Sequence, residues 1–255
     1  MADYKLTELM TIRAAKEIAD GEVVFIGVGL PIMVAAYAFA THAPNMIMLT
    51  EGGAIRATPP QALAITVDDP AAFLGGDATF GMLATMAALQ RGEVDLAFLG
   101  AAQIDKYGNL NSTGAGDWSK KESFTYFAGS GGANDMATSG KRTVTIIPQD
   151  KKKFVETCEY ITTPGYLTGP GAREALGMQG GGPDCVISTM GVYRFDEDTK
   201  EMYLAEFFPG QSVEKIRAAC AWDLKVSPNV VETTVPTEED LKILRSLDPT
   251  GFYLG

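Results

Sequence analysis

Short apolar runs that stop at glycine alternate with helical stretches through the first part of the chain, and this alternation narrows the architecture more than any other feature. EVVFIGVGLP is β-branched and aromatic and ends in Gly27, Gly29 and Pro31, after which IMVAAYAFATHA returns to helical composition. NMIMLTEGG repeats the strand and the glycine turn. TFGMLATMAALQRG then reads as a helix and VDLAFLGAAQID as one buried strand. Such a series predicts an α/β fold with an open, mostly parallel sheet and helices on both faces. Ahead of it, LTELMTIRAAKEIAD (6–20) spaces its apolar residues as one helix closed by Gly21. Further on, RTVTIIP, DCVISTM and MYLAEFF carry strand composition, and TEEDLKILRSL is a Thr-capped helix with acidic residues in its first turn. Residues 106–140, with GNLNSTGAGD and GSGGAND, hold more loop than mere connection requires, which points to function. The Gly/Pro stretch from Thr163 to Pro183 reads as surface loop. No internal repeat or linker divides the chain, so residues 1–255 are expected to form a single domain.

Composition removes several function classes. With 21 Lys+Arg against 32 Asp+Glu, the net charge of -11 repels a phosphate backbone, so no nucleic acid is expected as a partner. An anionic ligand must be held by a few local cations, by backbone N–H groups or by a partner subunit. Cys158, Cys185 and Cys220 are widely spaced and odd in number, which suggests buried thiols and neither a disulfide framework nor a zinc site. The N-terminus lacks the basic and apolar pattern of a signal peptide, and the run from Ile32 to Ala40 is too short to span a bilayer. A soluble, cytoplasmic protein is the expectation, with no membrane association.

Glu51 is the first candidate for chemistry. A carboxylate directly after an apolar strand and before Gly52 and Gly53 stands where open α/β sheets bind ligands. It can attack a thioester carbonyl to form a mixed anhydride, although position alone equally allows a residue that caps the next segment. Three glycine loops follow as candidates for close backbone approach: Gly27-Val28-Gly29-Leu30-Pro31, Gly100-Ala101-Ala102-Gln103-Ile104-Asp105 and Gly129-Ser130-Gly131-Gly132-Ala133-Asn134-Asp135. The first departs from the dinucleotide-binding spacing, because no glycine or alanine follows at the required place until Ala35. His42 is the only histidine, which rules out a histidine metal cluster within this chain, and its place near the end of the second helix suggests a helix-terminal or surface role. Ser112, Ser119 and Ser130 occupy no nucleophile elbow. The acidic runs Asp196–Asp198 and Glu238–Asp240 read as turn and helix-start charges.

Taken in order, VVFIGVGLP, LTEGG, GAAQIDKYGNLNST, FTYFAGSGGAND, TPGYLTGPGAREALG and MYLAEFFPG resemble the B subunits of glutaconate-type coenzyme A-transferases, in family I of the CoA-transferases. The resemblance covers essentially the whole chain. It implies the α/β fold shared with sugar-phosphate isomerases, and it implies that Glu51, in LTEGG, is the nucleophile of a ping-pong exchange through a glutamyl-CoA thioester. It further implies that GSGGAND packs beside CoA. Gly131 and Gly132 then offer backbone N–H groups to an oxyanion, Gly129 and Ala133 flank them, and Asn134 and Asp135 order the loop. Gly27, Gly29, Gly100, Ala101 and Gln103 are further site loops, with Ala101 standing where the family's GGAQID has glycine. No metal or redox cofactor is implied, since coenzyme A enters as acyl-CoA substrate, and an A subunit is the implied partner. Arg56, beyond the Glu51 turn, is either a contact for an acidic substrate or a solvent-facing cation. The same fold also serves acyl-CoA decarboxylation and ring-opening hydrolysis, and a non-catalytic partner subunit is a third reading; the carboxylate at Glu51 favours transfer.

Overall fold

The computed structural model describes residues 3–27, 29–56, 58–60, 64–66 and 69–255; Val28 of the first glycine loop lies outside them. The chain forms two compact units, Met1–Leu99 with Thr234–Gly255, and Gly100–Thr233.

The first unit runs through α1 (Leu6–Ala15), β1 (Val23–Ile26), α2 (Leu30–Ala40), β2 (Ile47–Thr50), β3 (Ala54–Arg56), α3 (Pro70–Phe73), β4 (Ala78–Thr79), α4 (Met82–Gln90) and β5 (Leu96–Gly100). Its strands lie in the order β5-β1-β2-β3-β4. β1 is parallel to both β2 and β5, whereas β3 and β4 add antiparallel at the far side. The expected parallel α/β plan is therefore present where strands and helices alternate, and the hairpin after β2 extends it. α2 is buried from Pro31 to Phe39, as an almost uniformly apolar helix should be.

α1 is shorter than the periodicity of residues 6–20 suggests. It stops at Ala15, and the chain continues through tight turns, Glu17 N–H to Ala14 O at 3.0 Å and Ile18 N–H to Ala15 O at 3.0 Å. His42, just past α2, sits at this stop: its Nε2 lies 3.0 Å from Ala15 O and 3.1 Å from Ile18 O. Two carbonyl partners require a proton on that nitrogen, so the side chain adds a second donor at Ala15 O and meets Ile18 O just beyond the helix. His42 thus serves the end of α1 and not that of α2, the helix it follows in sequence.

The second unit contains β6 (Gln103–Ile104), β7 (Leu110–Asn111), β8 (Gly114–Gly116), β9 (Phe124–Tyr126), α5 (Ala133–Ser139), β10 (Arg142–Ile147), α6 (Ala172–Ala175), β11 (Pro183–Ser188), β12 (Gly191–Phe195), β13 (Met202–Phe207), α7 (Val213–Ala218) and β14 (Lys225–Glu232). Its main strands lie in the order β14-β13-β12-β11-β10. β10/β11 and β13/β14 are parallel, while β11/β12 and β12/β13 are antiparallel. VDLAFLGAAQID does not form a single strand. It divides after Gly100 because Gln103 and Ile104 turn aside to pair with Asn111 and Leu110. Residues 106–140 are likewise built from β7, the β8–β9 ribbon and α5. The Gly/Pro stretch is no simple surface loop either. Arg173 in α6 is buried, and its guanidinium donates to the carbonyls of Pro164, Gly165, Ala137 and Gly180. β12 and β14 escaped the sequence reading; β14 carries Pro228, which its edge position and the register shift between Val226 and Val231 accommodate.

The final helix, α8 (Glu238–Leu247), belongs to the first unit. Thr237 and Asp240 cap it reciprocally, and Asp240 Oδ1 also accepts the Tyr37 hydroxyl at 2.6 Å, which ties α8 to α2. The three cysteines are buried, and no disulfide joins them among the described residues. Among the described residues no helix is long and apolar enough to cross a membrane, and no group of three His, Cys, Asp or Glu side chains converges as a metal-ligand set.

α8 also reaches α1 through a buried carboxylate. Arg245 Nε lies 2.6 Å from Glu8 Oε1, and Lys5 N–H donates to Glu8 Oε2 at 2.8 Å. The Arg245 hydrogen bond, outweighing burial, holds the Glu8 carboxyl below its ordinary value of 4.5. A depressed acid stabilises the fold above its unfolded pKa and loses that contribution as the pH falls through the folded value. Glu8→Gln is therefore expected to be less stable than the parent at neutral pH and to show a flatter loss of stability below about pH 4.5. Urea midpoints measured across pH 3–7 check this.

Candidate functional site

Glu51 is the first residue past β2 and opens the turn that leads into β3. Parallel pairing sets its neighbour. Ile26 of β1 is registered against Thr50 of β2, so the next residues, Gly27 and Glu51, leave the carboxyl ends of adjacent strands side by side. Neighbouring strands lie about 4.8 Å apart, close enough for a group bound at one end to touch the other. Two of the expected site residues are thus brought together by register alone. Gly27 has no positive φ, and a Cβ there meets only Phe98 O at 3.8 Å, so its backbone is open without being strained. Gly29, by contrast, has φ +85° at the N-cap of α2 and needs glycine for that reason.

The Glu51 turn is built from backbone contacts. Gly53 N–H donates to Thr50 O at 3.1 Å, and the buried Thr50 hydroxyl accepts Ala54 N–H at 3.2 Å. Gly53 O in turn accepts Phe80 N–H at 3.0 Å, which brings Gly81 directly over Gly53. Thr85, in the first turns of α4, lies with its hydroxyl 3.5 Å from Glu51 O. The Glu51 side chain is half-buried and makes no hydrogen bond or ion pair among the described residues. Its carboxylate oxygens are therefore available to a ligand. Thr85 and Gly81 escaped the sequence reading because their roles depend on α4 folding back across the turn.

Arg56 fits neither reading offered for it. It is fully buried, and its guanidinium donates to the carbonyls of Thr58, Pro59, Ala72, Leu74 and Gly75, the shortest at 2.8 Å to Leu74. A side chain so occupied contacts neither solvent nor substrate; it holds together the chain on either side of α3.

In the second unit the GAAQID and GSGGAND loops share one polar network. Asn111 is fully buried; its Nδ2 donates to Gln103 Oε1 at 2.8 Å and its Oδ1 accepts Thr113 N–H at 3.0 Å. Gln103 Nε2 donates to Glu159 Oε1 at 3.1 Å, and Glu159 Oε2 accepts Gly116 N–H at 2.7 Å. Ser112 O accepts Gly129 N–H at 2.7 Å, and Asn134 Nδ2 donates to Thr162 O at 3.1 Å. Gln103, Gly129 and Asn134 are thereby joined through Asn111, Ser112 and Thr162. Gly129 and Gly131 have φ of +93° and +47°, so both use conformations that favour glycine. Gly132 is the N-cap of α5, and Ala133 and Asn134 form its first turn. Neither Gly131 N–H nor Gly132 N–H has a protein acceptor among the described residues. Gly100 ends β5 and Ala101 follows it; neither enters this hydrogen-bond network. Asn111 was visible only as a member of a longer motif, and Thr162 in none, since nothing local marks a buried polar residue from an exposed one.

A buried Asp105 completes the frame. Burial pushes its carboxyl upward, against hydrogen bonds from Asn109, Tyr107 and Cys158. Asn109 carries the connection onward, accepting Gly165 N–H and Leu167 N–H at 2.9 and 3.0 Å.

Known proteins are similar to the chain over most or all of its length. The family model described as coenzyme A transferase matches residues 7–219. The B subunit of glutaconate CoA-transferase from Acidaminococcus fermentans is 36% identical over 100% of this chain and 97% of its own length. The B subunit of 3-oxoadipate CoA-transferase from Pseudomonas knackmussii is 32% identical over 97% and 95%. The crystal structure of the Acidaminococcus fermentans glutaconate coenzyme A-transferase superposes with a TM-score of 0.91 at 33% identity, covering 99% of this chain and 98% of that one. The decarboxylase AibA/AibB follows at 0.82 and 26%, covering 98% of each chain.

The Gly53 contact yields a direct test. A Cβ at this position lies 2.3 Å from Gly81 N and 2.4 Å from Gly81 Cα, and the φ of +103° already disfavours any side chain. Gly53→Ala is expected to destabilise the protein by about 2–4 kcal/mol, because two backbones must separate and a strained φ is added. A lowered denaturation midpoint with unchanged slope is the signature.

Proposed function

The chain belongs to the coenzyme A transferase family, and we propose that it is the B subunit of a CoA-transferase that moves CoA between an acyl-CoA and a carboxylic acid, with Glu51 as nucleophile. The observation that carries the reading is the Glu51 carboxylate, unpartnered among the described residues, at the carboxyl end of β2, beside Gly27, in a chain similar over its whole length to such subunits. Residues 1–255 act in it as one B-type domain, in the cytoplasm, together with an A subunit that completes the acyl pocket. The two relatives are named for glutaconate and 3-oxoadipate, both dicarboxylic, which favours short dicarboxylic acyl groups. The likeness to the decarboxylase is weaker in both identity and superposition.

The exchange balances with one negative charge throughout. A Glu51 oxygen attacks the thioester carbonyl, the C–S bond breaks, and CoA leaves as thiolate with an acyl-glutamyl anhydride behind it. The thiolate then attacks the glutamyl carbonyl, and the first acid departs as carboxylate. Glu51 now carries CoA as a thioester. The second acid reverses both steps: its carboxylate displaces the thiolate, and the thiolate takes the new acyl group, restoring Glu51. Each addition places charge on a carbonyl oxygen, and Gly131 and Gly132 are assigned to meet it with their N–H groups. Gly129, Ala133 and Asn134 shape that loop, while Gly27, Gly29, Gly100, Ala101 and Gln103 belong to the flanking loops. No step calls on a group beyond CoA, the acids and these residues.

Glu51→Ala in a complex reconstituted with its A-type partner is expected to lose transfer by about a thousandfold or more. Hydroxylamine added with acyl-CoA should convert Glu51 to its hydroxamate, seen in the mass of the peptide that carries it. Full activity of the alanine variant sinks the assignment. A panel of acyl-CoA donors and acid acceptors then identifies the acyl class.

A further inference from the structure

We infer that Thr162 is a positioning residue that sets both ends of the glycine-rich loop for the reaction; the inference rests on the transferase reading above. Its side chain and its carbonyl reach different ends of that loop. The hydroxyl accepts Ser112 N–H at 2.9 Å, and the carbonyl of that same residue, Ser112 O, accepts Gly129 N–H at 2.7 Å. The carbonyl of Thr162 accepts Asn134 Nδ2 at 3.1 Å. One residue therefore holds Gly129 through Ser112 and holds Asn134 directly, with Gly131 and Gly132 suspended between.

The hydroxyl itself is fixed. It lies 2.7 Å from Thr113 Oγ1 and 3.5 Å from the Oδ1 of the fully buried Asn111. Its backbone is fixed too, because Thr162 N–H donates to Leu110 O at 2.9 Å. Thr162 is buried, so water does not replace a lost hydroxyl readily, and the Ser112 N–H is left without an acceptor. The loop's anchor at Gly129 then loosens while the binding surfaces elsewhere stay intact. An N–H group moved by a fraction of an ångström from a developing oxyanion affects the transition state far more than the bound substrate.

Thr162→Val removes the hydroxyl and keeps the shape; Thr162→Ser keeps the hydroxyl. Each is assembled with the A-type partner, and rates are taken per active site titrated by the hydroxylamine-sensitive thioester. The valine variant is expected to lower kcat by roughly 10- to 100-fold with KM for acyl-CoA within about threefold, and serine to restore kcat to within about threefold. Amide exchange of residues 127–132 in the same complexes should accelerate in the valine variant alone. Wild-type kcat together with wild-type exchange overturns the inference, as does a loss that serine fails to rescue. If the valine variant does not assemble, Asn134→Ala cuts the second attachment at the other end of the loop: a lowered kcat at constant KM supports the clamp, and an unchanged kcat overturns it. A wild-type complex that transfers no CoA refutes the transferase reading, and the exchange measurement still decides whether Thr162 holds the loop.

Discussion

The long loops of this chain keep their shape because buried polar side chains meet backbone groups that a helix or strand would otherwise have satisfied. Arg56 does so around α3, Arg173 across the Gly/Pro stretch, and Asp105 with Asn109 between β6 and residue 167. A buried backbone N–H or C=O without a partner costs about as much as a lost hydrogen bond, so a loop can enter a protein interior only with such partners. These side chains are the condition under which the glycine-rich segments hold one conformation.

Within that frame, glycine has two distinct uses. At Gly53 the reason is close approach, one backbone lying on another. At Gly29, Gly129 and Gly131 it is conformation, a positive φ that side chains avoid. The second use leaves the N–H groups of Gly131 and Gly132 without protein acceptors among the described residues. That arrangement suits a thioester exchange, in which the bond made resembles the bond broken. The protein's contribution then lies in orientation and in stabilising a transient oxyanion.

Much of the plan was legible in the sequence. The strand, glycine and helix around Gly27 and the strand and glycine turn at Glu51 appear where their composition places them, as do the strands of RTVTIIP, DCVISTM and MYLAEFF and the Thr237 cap. Each is set by neighbours within a few residues. The misreadings share the opposite property. α1 ends at Ala15, where a histidine from beyond α2 meets the carbonyls of Ala15 and Ile18. VDLAFLGAAQID divides because Gln103 pairs across to Asn111. Arg56 looks like a surface cation until the carbonyls that surround it are known.

For Glu51, the sequence by itself determined the carboxylate, its place at the end of an apolar strand and the glycines that follow, since all of these are local. Only the tertiary structure decided what stands next to it. The pairing of Ile26 with Thr50 sets Gly27 beside it, and α4 brings Gly81 and Thr85 onto its turn. In the second unit the same division holds: GSGGAND is visible as glycine-rich sequence, but its attachment to Thr162 spans 28 residues from Asn134 and 50 from Ser112. Hydrogen bonds of that separation depend on which residues become buried together, and a linear pattern of residues carries no record of that.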